Sequence, residues 1–160
     1  MLRVRIQIGS EEDGAVIHDS TDYGLIYISA DNRFAPDTKG FETTSYPEEE
    51  GEHILPKTVD DAFDYKVKFC IDASGGLESA NKKIAVFNRL LYEPDDAGNR
   101  VYKEVYFYND YKKVLIVGYP SPISNAETFW RDSNGETLDV VVVEWTIRVI
   151  KPSKCNFNLT

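Results

Sequence analysis

Histidines, cysteines and paired carboxylates are the residues with which a chain of this composition could hold a metal or move a proton. Their spacing decides whether they do. His18 and His53 are the only histidines, and Cys70 and Cys155 the only cysteines. No two of the four stand at ligand spacing, whereas a zinc site gathers several such groups through short spacings. Each histidine therefore reads as a surface or loop residue. The cysteines, with no framework spacing, read as reduced structural thiols. Asp60 and Asp61, or the glutamates near residue 50, have the type of pairing that general acid–base chemistry uses. In a chain with 27 acidic residues nothing sets one pair apart. Asp95, Asp96 and Asn99 lack the alternating oxygens and terminal glutamate of a calcium loop. Gly75-Gly76 could present free amides to an anion, but a strand-to-helix turn explains the same pair. There is no Gly-x-Ser-x-Gly elbow and no phosphate-binding glycine loop. The expectation is a protein without catalytic machinery, cofactor or metal.

The elements that would position any site are legible from periodicity. Phe63, Tyr65, Val67, Phe69 and Ile71 alternate with Asp64, Lys66, Lys68 and Cys70, which predicts a strand with one buried face. Ser74, Gly75 and Gly76 end it. Leu77, Ala80, Ile84, Phe87 and Leu91 then step by three and four, predicting one helix over about residues 76–92 that Pro94 closes. Leu2, Val4, Ile6 and Ile8 form an amphipathic opening strand, and Leu25 to Ser29 a second. Residues 30–61 lose regular patterning, carry Pro36, Pro47 and Pro56 with Glu48, Glu49, Glu50 and Glu52, and read as a long loop or arm. Val101 to Tyr108 and Lys113 to Tyr119 read as strands joined by a hairpin connection. Phe129-Trp130 is expected to start another strand, and Ser133-Asn134-Gly135 is a turn. Leu138 to Ile150 is the longest strand, stopped by Pro152, with 153–160 as a tail. The fold class expected is mainly β (α+β): an antiparallel β-sandwich or split barrel with one packed helix, in a single domain over 1–160.

Length and charge exclude some classes. The chain has 160 residues, a net charge of −9 and 42% hydrophobic residues, enough for one sizeable core. An acidic surface argues against gripping nucleic acid, which needs a basic footprint, and against docking on anionic membranes. No apolar run reaches the roughly 20 residues of a membrane helix. Met1-Leu2-Arg3-Val4-Arg5 alternates apolar and charged residues, unlike a signal peptide, so folding in a cytoplasm is expected. Tyr102, Tyr106, Phe107, Tyr108, Tyr111 and Tyr119 could build an aromatic binding face for a glycan or protein. Cross-strand packing with the amphipathic rim of a protein interface is the favoured reading, because no basic residues interleave with them as a single-stranded nucleic-acid groove requires.

The order of these elements resembles a known family. An amphipathic strand leads to an irregular segment with Phe41-Glu42-Thr43-Thr44-Ser45-Tyr46-Pro47 and Gly51-Glu52. The strand Tyr65-Lys66-Val67-Lys68-Phe69 follows, then a helix opened by Leu77-Glu78 and ending Phe87-Asn88-Arg89-Leu90-Leu91, then hairpins. This resembles the tube-type β-sandwich of phage tail proteins, most closely the N-terminal domain of distal tail proteins, over roughly residues 1–150. The resemblance implies a structural subunit of a phage or prophage tail, present in the virion. It implies a homohexameric ring whose sheets line a channel, and contacts with neighbouring tail proteins. DNA would at most pass through, without specific binding. Under that reading the loop carrying Tyr46, Pro47, Glu48, Glu49, Glu50 and Glu52 faces the lumen or an adjacent ring. Distal tail proteins commonly carry a second, C-terminal domain, and this chain ends at Thr160, as in a minimal form or a tail tube or tail-completion relative. The alternative is a β-sandwich module that binds through its aromatic face.

Overall fold

The computed structural model describes residues 1–38, 43–44, 50–51, 53–54, 60–130 and 138–160. It is mainly β, with one helix. The strands are β1 (Val4–Ile8), β2 (Ile17–Asp19), β3 (Ile26–Ala30), β4 (Asp37–Thr38), β5 (Thr43–Thr44), β6 (His53–Ile54), β7 (Asp60–Asp61) and β8 (Phe63–Asp72). Helix α1 (Leu77–Leu90) follows, then β9 (Tyr92–Pro94), β10 (Arg100–Tyr102), β11 (Val105–Asn109), β12 (Val114–Pro120), β13 (Ala126–Trp130) and β14 (Leu138–Val149).

Eight of the strands join in the order β2-β1-β11-β12-β14-β8-β3, with β13 added beside β14, and every pairing is antiparallel. β12 belongs to both halves. Its first five residues pair with β11, and Tyr119 and Pro120 then pair with Arg148 and Ile147 of β14. The sheet turns at this strand so that its two halves face one another. The crossing is tight: a Cβ on Gly118 would meet the Arg148 carbonyl oxygen, so only glycine lets the two backbones approach.

Between the halves lies one apolar core. Alternation puts Phe63, Tyr65, Val67, Phe69 and Ile71 of β8 inside, and Val141, Val143, Trp145, Ile147 and Val149 of β14 beside them. Trp145 is the centre, with its ring centroid 5.2 Å from Phe87 of the helix, 6.1 Å from Phe107 of β11 and 6.3 Å from Phe69. The helix joins this core through Ala80, Phe87 and the following Leu91. It starts at Gly76, whose φ of +94° favours glycine. The Asn88 side chain fastens it to the β12–β13 connection: its Oδ1 accepts from Ile123 N–H and its Nδ2 donates to Ile123 C=O, both at 2.8 Å.

Several expectations need correction. The helix ends two residues early, and Leu77, placed on its buried face, is 42% exposed because the first turn overhangs the core. Val101 to Tyr108 is not one strand. Lys103 N–H leaves to donate to Leu91 C=O, and Glu104 C=O accepts from Gly9 N–H, so the chain steps from the β9–β10 hairpin into β11. Pro94 ends β9 rather than the helix, and Phe129-Trp130 ends β13 rather than starting a strand. Residues 30–61 hold two short antiparallel pairs, β4 with β7 and β5 with β6, nested as in a long hairpin. The tail is ordered against β12: Leu115 and Asn156 exchange backbone hydrogen bonds, and Phe157 packs near Phe63. The Ser133-Asn134-Gly135 turn lies outside the described residues.

Candidate assembly surface

The second half of the sheet, β13-β14-β8-β3, turns one face to the core and the other outward. On the outward face, cross-strand partners form level rows. Glu127, Val142, Cys70 and Ile26 make one row across all four strands. Phe129, Val140 and Asp72 make the next row on one side, and Glu144, Lys68 and Ser29 the next on the other. Further down, Arg148 and Asp64 form an ion pair at 3.2 Å. The face therefore sets apolar side chains beside the carboxylates Glu127 and Asp72 at one end, and carries charges of both signs at the other.

Both lateral edges of this four-stranded sheet are open among the described residues, since β13 pairs only with β14 and β3 only with β8. Each edge carries exposed apolar side chains: Ile26 and Ile28 on β3, Phe129 and Trp130 on β13. Each ladder also breaks register once. Ile28 is an extra residue between Tyr27 and Ser29, and Asp139 is extra opposite the Phe129/Trp130 step. Asp31 continues β3 by a side-chain route, with Lys66 N–H donating to its Oδ2 and its own N–H donating to Lys66 C=O, both at 3.0 Å. An exposed edge presents unpaired N–H and C=O groups and is a template for another strand.

The residues singled out for chemistry are dispersed. His18 lies on β2, exposed, with Nδ1 3.5 Å from Asp22. His53 is on β6. Cys70 and Cys155 are free thiols, both held above the ordinary thiol range by burial, Cys70 also by Asp72 and Asp139. Cys155 lies against β12, its Sγ 3.4 Å from Val117 N. Asp60 and Asp61 form β7, and Asp95 Oδ1 accepts from Ala97 and Asn99 N–H, closing its own turn. No group of three or more His, Cys, Asp or Glu is arranged to hold a metal among the described residues, and no described helix is long and apolar enough to cross a membrane.

Of the expected interface loop, Glu50 is exposed at a bend beside Gly51, while Tyr46, Pro47, Glu48, Glu49 and Glu52 lie outside the described residues. The aromatic residues do not share one face. Phe107 is in the core, Tyr102 pairs with Tyr92 on the β9–β10 hairpin, and Tyr111 stacks on Tyr27 at 4.8 Å. Tyr106 and Tyr108 alternate with Phe107 on the other side of β11. Nothing in the sequence marks the edges β3 and β13 as a pair. Neither has a periodic signal of its own, and they become neighbours in role only once β8 and β14 pair.

No protein-family model matches the chain, and no curated protein matches it. Among solved structures it is similar to the SPP1 Dit (gp 19.1) protein, described as a paradigm of the hub adsorption apparatus in phages that infect Gram-positive bacteria. The sequence identity is 15% and the TM-score 0.46, over 90% of this chain and 49% of that one. The chain thus spans about half the length of that structure.

Proposed function

We propose that this protein is a structural, non-catalytic subunit of a phage or prophage tail, built into a ring of its own copies that contacts adjacent tail proteins. The observation that carries the assembly is the pair of open edges. Strand directions alternate across β13-β14-β8-β3, so β3 of one copy runs antiparallel to β13 of a copy placed beside it in the same orientation. Head-to-tail joining therefore continues the ladder without a mismatch, the heterologous contact from which closed rings arise. The first half-sheet and the helix share the core on one side of β13-β14-β8-β3, so a ring with this bulk on its outside turns the other face of the sheet to the channel. On that face Asp64, Asp72, Glu127 and Glu144 stand with Lys66, Lys68 and Arg148, a mixed surface over which DNA would slide without being gripped. The tail context comes from the order of elements along the chain, with six copies as the expected ring. The acidic loop with Glu50 is assigned to the lumen or to the neighbouring ring.

The test is the mass of the purified protein by light scattering over a range of concentrations, with negative-stain images of any large species. A ring with a central hole is expected. Ile28→Lys and Phe129→Lys each place a charge on one edge at an exposed position, and each should leave a folded monomer. A ring that survives both substitutions, or a chain that stays monomeric at the highest concentration, would overturn the edge-joined reading.

A further inference from the structure

The other half of the sheet carries a second surface, which ring closure through β3 and β13 does not use. On its outward side Arg5 pairs with Tyr108 and Gln7 with Tyr106 across β1 and β11. Beside these rungs stands the short 3-10 turn Glu11–Asp13, stopped by Gly14 at φ +78°. Together they form a groove of about 490 Å³ with Tyr106, Tyr108 and Gln7 as its floor and Ser10, Glu11, Glu12, Glu104 and Lys154 around it.

The protein itself shows how this surface holds a cation. The Arg5 guanidinium lies over the Tyr108 ring, 5.0 Å from its centroid, with Asp110 at 3.5 Å. One rung along, the Lys154 ammonium sits on the Glu104 carboxylate at 2.9 Å, and Glu104 in turn accepts from the Tyr106 hydroxyl at 3.0 Å. An aromatic ring with a carboxylate thus holds Arg5, and a carboxylate oriented by a tyrosine hydroxyl holds Lys154. At the rim, Glu11 and Glu12 repeat the carboxylates with no ion pair or hydrogen bond to their side chains among the described residues. Three carboxylates (Glu11, Glu12 and Glu104) thus face one ammonium around an aromatic floor.

We propose that this groove is a docking site for a basic segment of a partner protein, taking an arginine or lysine side chain between Tyr106 and the Glu11–Glu12 turn. Charge complementarity selects that occupant. A polyanion is repelled by the rim, and a second copy of a chain with net charge −9 is the poorer fit.

The experiment is calorimetric titration of the full chain with a tetra-arginine peptide, and with tetra-glutamine as the uncharged comparison, at 0.15 M salt. The double substitution Glu11→Gln with Glu12→Gln is compared with Glu78→Gln with Asp96→Asn, which removes the same charge from exposed positions outside the groove. The expected result is binding of tetra-arginine alone, weakened roughly tenfold or more by the groove pair and less than about twofold by the control pair. Equal weakening by both pairs would mean attraction to net charge and would overturn the proposal. Unchanged binding in the groove pair, or no binding to the unaltered chain, would also overturn it.

Discussion

Asn109 is wholly buried and joins the two halves of the sandwich. Its Oδ1 accepts from the backbone N–H groups of Tyr111 and Lys112, closing the β11–β12 hairpin. Its Nδ2 is 3.4 Å from the Tyr27 hydroxyl and 3.5 Å from that of Tyr65, on the facing strands. Burial holds the Tyr65 phenol above its ordinary value of 10.0, and the Asn109 hydrogen bond works in the opposite direction. The folded protein therefore keeps a proton that the unfolded chain releases near pH 10. The stability tied to it is intact below pH 10 and is lost as the pH climbs beyond that toward the raised value of the folded state. Tyr65→Phe should flatten the alkaline limb of a stability profile. At neutral pH it should change stability by no more than about 1 kcal/mol, since the hydrogen bond it removes is long and weak. Denaturant titrations from pH 7 to above pH 10 would read both.

At the scale of elements, the helix depends on a polar clamp as well as on its apolar stripe. Asn88→Ala leaves the buried Ile123 N–H and C=O without their partner and should cost about 1–3 kcal/mol. Faster amide exchange at Ile123 than elsewhere in the core would locate the effect. The helix and the strands β1, β8 and β14 were legible because each buries one face and so carries a regular period, and β12 through its run of strand-favouring residues. What stayed illegible has a physical cause in each case. β4, β5, β6 and β7 are two residues long and show no period. The break before β11 is made by backbone hydrogen bonds from Lys103 and Glu104, which side-chain alternation does not report. The clamp made by Asn88 leaves no local pattern, because its partner lies 35 positions away. Neither the open edges nor the groove on the first half-sheet could be read, since each needs strands from distant parts of the chain.

For the whole molecule, two surfaces with different physics stand on opposite halves of the sheet. Joining through β3 and β13 uses backbone hydrogen bonds and apolar contacts from Ile26, Ile28, Phe129 and Trp130, neither of which salt screens. Docking in the groove depends on Glu11 and Glu12 and falls with ionic strength. Raising salt from 0.15 M to about 0.5 M should leave the ring's mass unchanged in light scattering while weakening tetra-arginine binding several-fold. Loss of both together would mean that the edges are held by charge instead.

The chain has two tryptophans, and they sit in contrasting places. Trp145 is sealed among Phe69, Phe87 and Phe107, while Trp130 stands on the open β13 edge with 45% of its surface in water. Their emission is therefore separable by colour and by access to a soluble quencher. The blue, unquenched component follows unfolding, and the red, quenchable one follows whatever covers the edge. One fluorescence record thus distinguishes a subunit coming apart from its neighbours from a subunit coming apart within itself.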